Sequence, residues 1–180
     1  MQDKRARFEA SVLPHLDAAY RFARWLSRSG DAEDLVQEAF LRAWRGFEGL
    51  RGGDVKAWLF TIVRNCHATA LQQGQRRAVL SLRDAPLPAM RTHSEPAGDD
   101  PESVATAEEE RRSLRSVIAA LPDEHREVLL LREMEDMSYR EIAQVTQVPI
   151  GTVMSRLARA RAALRGKWLE QASGGPRAVR

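Results

Sequence analysis

The stretch from Ser138 to Arg165 constrains the fold more than any other part of the chain. Ser138 and Glu141 have capping-box spacing: the serine oxygen accepts from the third-residue amide, and the glutamate reaches back to the cap amide. A helix therefore begins at Tyr139. Ile142, Ala143, Val145 and Thr146 give it an apolar stripe, and Pro149 prevents it from continuing through the turn Val148-Pro149-Ile150-Gly151. Gln147 occupies the turn position where glycine is common in such hairpins, which predicts a less regular turn. A second helix starts near Thr152. Val153, Leu157, Ala160 and Leu164 repeat at i, i+4, i+7 and i+11, the spacing of a buried face, while Met154, Ser155, Ala158 and Arg159 project from the other side. From Ile150 to Lys167 there are five cations and no carboxylate. Arginines on a helix usually mark a solvated face, but one-signed charge of this density is self-repelling unless phosphates neutralise it. Two short helices joined by a tight turn, the second outwardly basic, make a helix-turn-helix that fits the major groove of duplex DNA.

The 180 residues carry a net charge of only +3, so the placement of charge matters more than its sum. Cys66 is the single cysteine, which excludes an intramolecular disulfide and fits a reducing cytoplasm. No apolar run approaches the length of a membrane span, so membrane insertion is not expected. The N-terminal sequence leads into an amphipathic pattern rather than a secretory core.

An N-terminal helical block runs from about Phe8 to Arg77. Phe8, Val12, Leu16, Ala19, Phe22 and Leu26 predict one helix closed by Ser29-Gly30, with Asp31 placed to cap the next. In that second helix Val36, Phe40, Ala43, Trp44 and Phe47 form the apolar face. A glycine-containing polar loop, Glu48 to Asp54, follows, and then a third helix from about Val55, cored by Leu59, Ile62, Val63 and Cys66. From Asp84 to Glu110 there are eight acids against one arginine, with several prolines. Such a segment cannot bury enough apolar surface to offset ordering, so the reading from Gly74 to about Pro101 is a flexible linker. A helix from about Glu102 to Leu121 and another from Pro122 to Met134 complete the second half. No strand pattern of useful length appears. The expectation is an all-α chain of two separately folded helical domains, residues 5–80 and 105–170, joined by a flexible acidic linker over 81–104.

Charge sorts by segment. Lys56, Arg64, Arg76, Arg77 and Arg83 lie in a stretch without acids, interleaved with Trp58, Phe60, Asn65, His67 and the amide-rich run from Gln72 to Gln75. Rings beside cations suit an unstacked nucleic-acid strand, although Trp58 and Phe60 are read first as partly core. The preceding helix has the opposite sign. Its acids suit the helix dipole, but Asp34, Gln37 and Glu38 share one exposed face, and an acidic patch on a DNA-binding chain fits a basic surface on another protein. The four histidines are scattered away from Cys66 and from carboxylates at ligand spacing, so neither a catalytic site, a metal site nor a cofactor site is expected. A duplex-binding regulator that acts alone is the competing reading; it gives the acidic patch no role.

DAEDLVQEAFLRAW from Asp31 to Trp44, AWLFTIVRN from Ala57 to Asn65, LPDEHREVL from Leu121 to Leu129, MSYREIA from Met137 to Ala143 and GTVMSR from Gly151 to Arg156 together resemble the bacterial sigma factors of the extracytoplasmic-function (ECF) type, in the sigma-70 family. The resemblance covers about residues 8 to 168. It implies a promoter-specificity subunit of RNA polymerase: a first domain that holds the core enzyme and opens the −10 element, and a second that reads the −35 element as duplex. It also implies a stress-responsive regulon and an anti-sigma partner. By matching position, Asp34, Gln37 and Glu38 would face the polymerase. The loop ending in Gly52 and Asp54 would pocket a flipped base, with Lys56, Trp58, Arg64, Asn65, Arg76 and Arg77 on the −10 strand. On the last helix Thr152, Met154, Ser155, Arg156, Arg159 and Arg161 would meet the −35 element, Arg159 as the bidentate guanine reader and Arg156 and Arg161 on phosphate. Met154 stands where many relatives place arginine, which offers apolar contact to a thymine methyl.

Overall fold

The structure, a computed structural model, describes residues 2–27, 31–50, 52–80 and 112–173, with side chains described for 3–27, 31–50, 52–73 and 112–167. Four helices form the first domain: α1 (Gln2–Ser11), α2 (Leu16–Leu26), α3 (Ala32–Gly46) and α4 (Val55–Leu80). The second contains α5 (described over 112–119), α6 (Asp123–Glu133), α7 (Tyr139–Thr146) and α8 (Ile150–Ser173). The described residues include no strand. The all-α class therefore holds.

Pro14 divides what the apolar periodicity presents as one N-terminal helix. A proline has no amide hydrogen and its ring meets the carbonyl four residues back, so the chain tightens into a single turn, Leu13–His15, before α2 restarts. Phe8 and Val12 nevertheless stay in the core with Ala19, Phe22 and Leu26. On α3 the buried side is Ala32, Leu35, Val36, Ala39 and Ala43, while Trp44 sits at the rim with its ring edge-on to Phe8, centroids 5.1 Å apart. α4 continues to Leu80, so residues 74–80 belong to a helix and not to the linker expected from Gly74 onward. The closing pair Ser29-Gly30 and the acidic segment 81–104 lie outside the described residues.

In the second domain, local chemistry sets the hairpin. The capping box forms in full: the Ser138 amide donates to Glu141 Oε2 at 2.6 Å, and the Glu141 amide donates to Ser138 Oγ at 3.3 Å. Gln147 ends α7 in the left-handed region, φ 56°, where its amide reaches Ala143 O. The turn is thus a regular left-handed cap made by a glutamine, not the irregular one expected, and α8 starts at Ile150, two residues earlier than the periodicity indicates. Ile142, Val145, Val153, Leu157 and Ala160 are all buried. Arg126, itself buried, donates to the carbonyls of Ala119 and Leu121 and pairs with Asp123, satisfying the C-terminal carbonyls of α5. Ser138→Ala should lower stability by about 1 kcal/mol, the usual worth of such a cap. A urea titration with an earlier midpoint and an unchanged slope checks it.

The two domains do not stand apart. α7 lies along α4, α6 reaches α2, and one continuous cluster of buried residues, from Phe8 to Ala160, runs through both.

Candidate nucleic-acid interface

On α8, Val153, Leu157 and Ala160 face inward, and that placement turns Met154, Ser155 and Arg159 to solvent; Met154 is 53% exposed. Ser155 Oγ donates to Thr152 O at 2.9 Å, so its hydroxyl is anchored to the helix but keeps lone pairs for an incoming donor. Arg156 Nη2 meets Glu124 Oε2 at 2.6 Å, and Arg161 Nη2 meets Glu133 Oε1 at 2.7 Å. Both acids belong to α6. Arg159 makes no ion pair among the described residues. The expected −35 set therefore lies together on one helix, with two arginines held by carboxylates at its sides and one arginine beside Met154 and Ser155.

The expected −10 set divides. Along a helix of 3.6 residues per turn, Lys56 and Arg64 fall within about 80° of each other, whereas Trp58 and Asn65 lie on roughly the opposite side. Trp58 is half-buried against Gly46, where a Cβ would stand 3.6 Å from its ring. Asn65 is exposed. Phe60, at 0% exposure, is core and stacks at a tilt on Phe22 with centroids 5.1 Å apart. The side chains of Arg76 and Arg77 lie outside the described residues. Asp54 serves the fold, since its Oδ1 accepts the Ala57 amide at 3.1 Å and so caps α4. Gly52 and Gly53 take φ of 70° and 101°, conformations that a side chain rarely tolerates, and line an open cavity of about 390 Å³. That cavity is lined by Arg7, Phe47, Leu50, Gly52, Gly53 and Val55 among others, with the Arg7 guanidinium 5.7 Å from the centre of the Phe47 ring. Arg7 carries no signal of this placement in the sequence, because α1 reaches the loop only through tertiary packing.

The acidic face belongs to α3. Asp34 and Gln37 are exposed, Glu38 is half-buried and holds Arg42 Nε at 2.7 Å, and Leu41, 45% exposed, extends the same face at i+7 from Asp34.

Where the domains meet, carboxylates of the second cover cations of the first. Glu135, only 3% exposed, receives Arg21 Nη2 at 3.1 Å and Lys56 Nζ at 3.3 Å, and Lys56 also donates to the Glu135 carbonyl at 2.7 Å. Arg64 Nε meets Glu127 Oε1 at 2.6 Å. Burial pushes the Glu127 carboxyl above its ordinary range, and Arg64 pulls it part of the way back. A hydrogen bond to Glu141, then the amides of Ala57 and Lys56, hold Asp54 below the ordinary range against the opposing effect of burial. His67 is pushed down by burial, near Asp123, Arg126 and Arg64. Burial likewise raises the Cys66 thiol, which keeps it protonated and inert. No helix among the described residues is long and apolar enough to cross a membrane.

Residues 12–77 match the family model for Sigma-70 region 2, and residues 111–164 that for Sigma-70, region 4. The chain is 38% identical over 143 residues to the ECF RNA polymerase sigma-E factor of Escherichia coli K12, covering 77% of this chain and 74% of that one. It is 34% identical over 148 residues to the protein of the same name from Haemophilus influenzae, covering 80% and 77%. Among solved structures it is similar to the sigma factor RpoE in complex with the anti-sigma factor NepR from Bartonella quintana, with TM-score 0.76, 28% identity, and coverage of 90% of this chain and 96% of that one. It is also similar to CnrH in complex with the cytosolic domain of CnrY, with TM-score 0.61, 26% identity, and coverage of 93% and 90%. Two matched regions in the right order, on a helical scaffold shared with known sigma factors, lead to one conclusion: the chain belongs to the ECF sigma factors of RNA polymerase.

Proposed function

We propose that the chain directs RNA polymerase to a small set of promoters by dividing the work among three faces. α3 meets the core enzyme through Asp34, Gln37 and Glu38. The glycine loop and α4 take the −10 strand, with Lys56, Arg64, Arg76 and Arg77 on phosphate, Asn65 at a base, and a flipped base in the cavity lined by Arg7 and Phe47. α8 reads the −35 duplex through Met154, Ser155 and Arg159, flanked by Thr152, Arg156 and Arg161. Residues 81–104 join domains 5–80 and 105–170. The protein works in the cytoplasm without chemistry of its own, and an anti-sigma factor holds it until a stress signal arrives, as the complexes of its structural relatives suggest.

The observation that carries this reading is the outward trio on α8, opposite a fully buried stripe, in a chain that also exposes an acid face on α3. A regulator acting alone would use the first and leave the second idle. Reversing charge with Asp34→Lys and Glu38→Lys sets like charges against a basic docking surface, which costs several kcal/mol at a close interface. Retention of purified core polymerase on the immobilised chain should fall at least about tenfold, while duplex binding through α8 is unchanged. Undiminished retention would remove α3 from the polymerase interface.

A further inference from the structure

We infer that α8 reads part of the −35 duplex through methyl groups alone: Ile150 and Met154 form an apolar ridge that takes the C5-methyl groups of pyrimidines about two base pairs apart, thymine and 5-methylcytosine alike. The ridge rests on α8 as the −35 reading helix and adds the chemical feature that is read.

Two parallel ridges run along the outer side of α8, because residues four apart on a helix stand nearly in line. Gly151, Ser155 and Arg159 make one, and all three are exposed. Ile150, Met154 and Ala158 make the other. Ile150 is 45% exposed and Met154 53%, more than any other described large apolar side chain of the second domain. A single exposed apolar residue needs no explanation, but two on successive turns of one ridge form a patch, and a patch marks a contact. The surrounding charge selects the occupant. Three turns further on, Arg161 and Arg165 return to within about 60° of the direction of Ile150, and α8 has no acid from Ile150 to Lys167. Such a surface, apolar at one end and cationic at the other, fits a groove with methyl groups on its floor and phosphates along its walls; an apolar protein helix would leave the cations unanswered.

The ridge is also poor in hydrogen-bonding groups. Ile150 and Ala158 have neither donor nor acceptor in their side chains, and the Met154 thioether is only a weak acceptor. The polar neighbours are committed elsewhere, since the Ser155 hydroxyl donates to Thr152 O at 2.9 Å and Arg156 meets Glu124. The ridge therefore has no means to tell O4 of thymine from the amino group of cytosine. What it registers is the C5-methyl, the apolar feature that the major groove displays. Gly151 allows the base edges to come near: no heavy atom lies within 4 Å of where its Cβ would stand, so packing does not demand glycine, and the missing side chain leaves room beside Ile150. Four residues advance about 6 Å along the helix, close to two steps of about 3.4 Å along a DNA strand. Ile150 and Met154 thus meet separate pyrimidines, and guanine is left to Arg159.

The test uses the chain joined to core polymerase, with promoter duplexes recovered by sequencing its run-off transcripts. Each −35 thymine, on either strand, is replaced singly by deoxyuridine, which keeps O4 and the base pairing and removes only the methyl. Competition binding read by fluorescence anisotropy should show a loss of about fourfold at two thymines about two base pairs apart, the worth of one buried methyl, and no loss for uracil in the spacer. At those positions 5-methylcytosine paired with guanine should bind about fourfold tighter than cytosine paired with guanine. Met154→Ala should abolish the uracil penalty at one position and Ile150→Ala at the other; both side chains are exposed and alanine favours a helix, so the fold is kept. Absence of a uracil penalty in the wild-type chain overturns the ridge, as does a penalty that persists unchanged in both variants, or a recovered set of −35 elements without thymine. If the wild-type chain with core enzyme selects no promoter, the −35 reading of α8 falls and the ridge with it, whereas selective binding indifferent to uracil overturns the ridge alone.

Discussion

Phe60→Ala should lose about 3–5 kcal/mol of folding stability, the range for deleting a wholly buried ring. Phe60 has no exposed surface, its ring meets Phe22 at 5.1 Å, and Lys56 Nζ lies 5.8 Å from its centre on the side facing the second domain. The neighbours Leu59 and Val63 are also at 0% exposure, so the helix cannot slide to fill the space. Against a typical total of about 5–15 kcal/mol, the loss is a large fraction. Chemical denaturation followed by circular dichroism reads it directly; a loss under about 1 kcal/mol would mean that α4 is not packed as described.

Arg159→Ala should lose about 1–3 kcal/mol of binding at a single −35 base pair, the worth of one bidentate guanine contact. That is roughly a five- to 150-fold preference removed at one position and nowhere else. Arg161→Ala supplies the contrast. Its guanidinium rests on Glu133 at the side of the helix, so its loss should weaken all promoter variants alike and flatten the salt dependence. Anisotropy across duplexes substituted one pair at a time separates the two outcomes. Equal losses on every duplex for Arg159→Ala would move it from base to phosphate.

The parts of the fold that can be read from the chain are those in which neighbours in sequence settle the structure. Ser138 and Glu141 announce a helix start because a cap is a three-residue event, and the stripe Val153, Leu157 and Ala160 orients α8 because periodicity alone decides which side is apolar. The break at Pro14 is masked because the apolar repeat from Phe8 to Leu26 continues across it, since both sides of the break feed the same core. The end of α4 is hard to place because the amide-rich run before Leu80 carries little apolar signal, although it is compatible with a helix. Least legible are the cross-domain partners. Glu127 and Glu135 lie more than sixty residues from Arg64 and Lys56, and acids on a helix ordinarily signal nothing but solubility. Arg156 and Arg161 likewise read as uncompensated charge within their own helix, whereas α6 supplies Glu124 and Glu133 from outside it.

The site residues show the same division. Met154, Ser155 and Arg159 share a face by spacing alone. Trp58 and Lys56 are neighbours in sequence but serve different surfaces, one against Gly46 and one against Glu135, because two residues along a helix are about 200° apart.

Run-off transcription with purified core polymerase over a pooled genomic promoter library, with the transcripts sequenced, tests the central claim most directly. Initiation is predicted at a small set of templates sharing paired −35 and −10 elements, lost when Asp34 and Glu38 are reversed and re-specified at one −35 position by Arg159→Ala. No selective initiation on any template, with the core shown to be active and the chain folded, would contradict it.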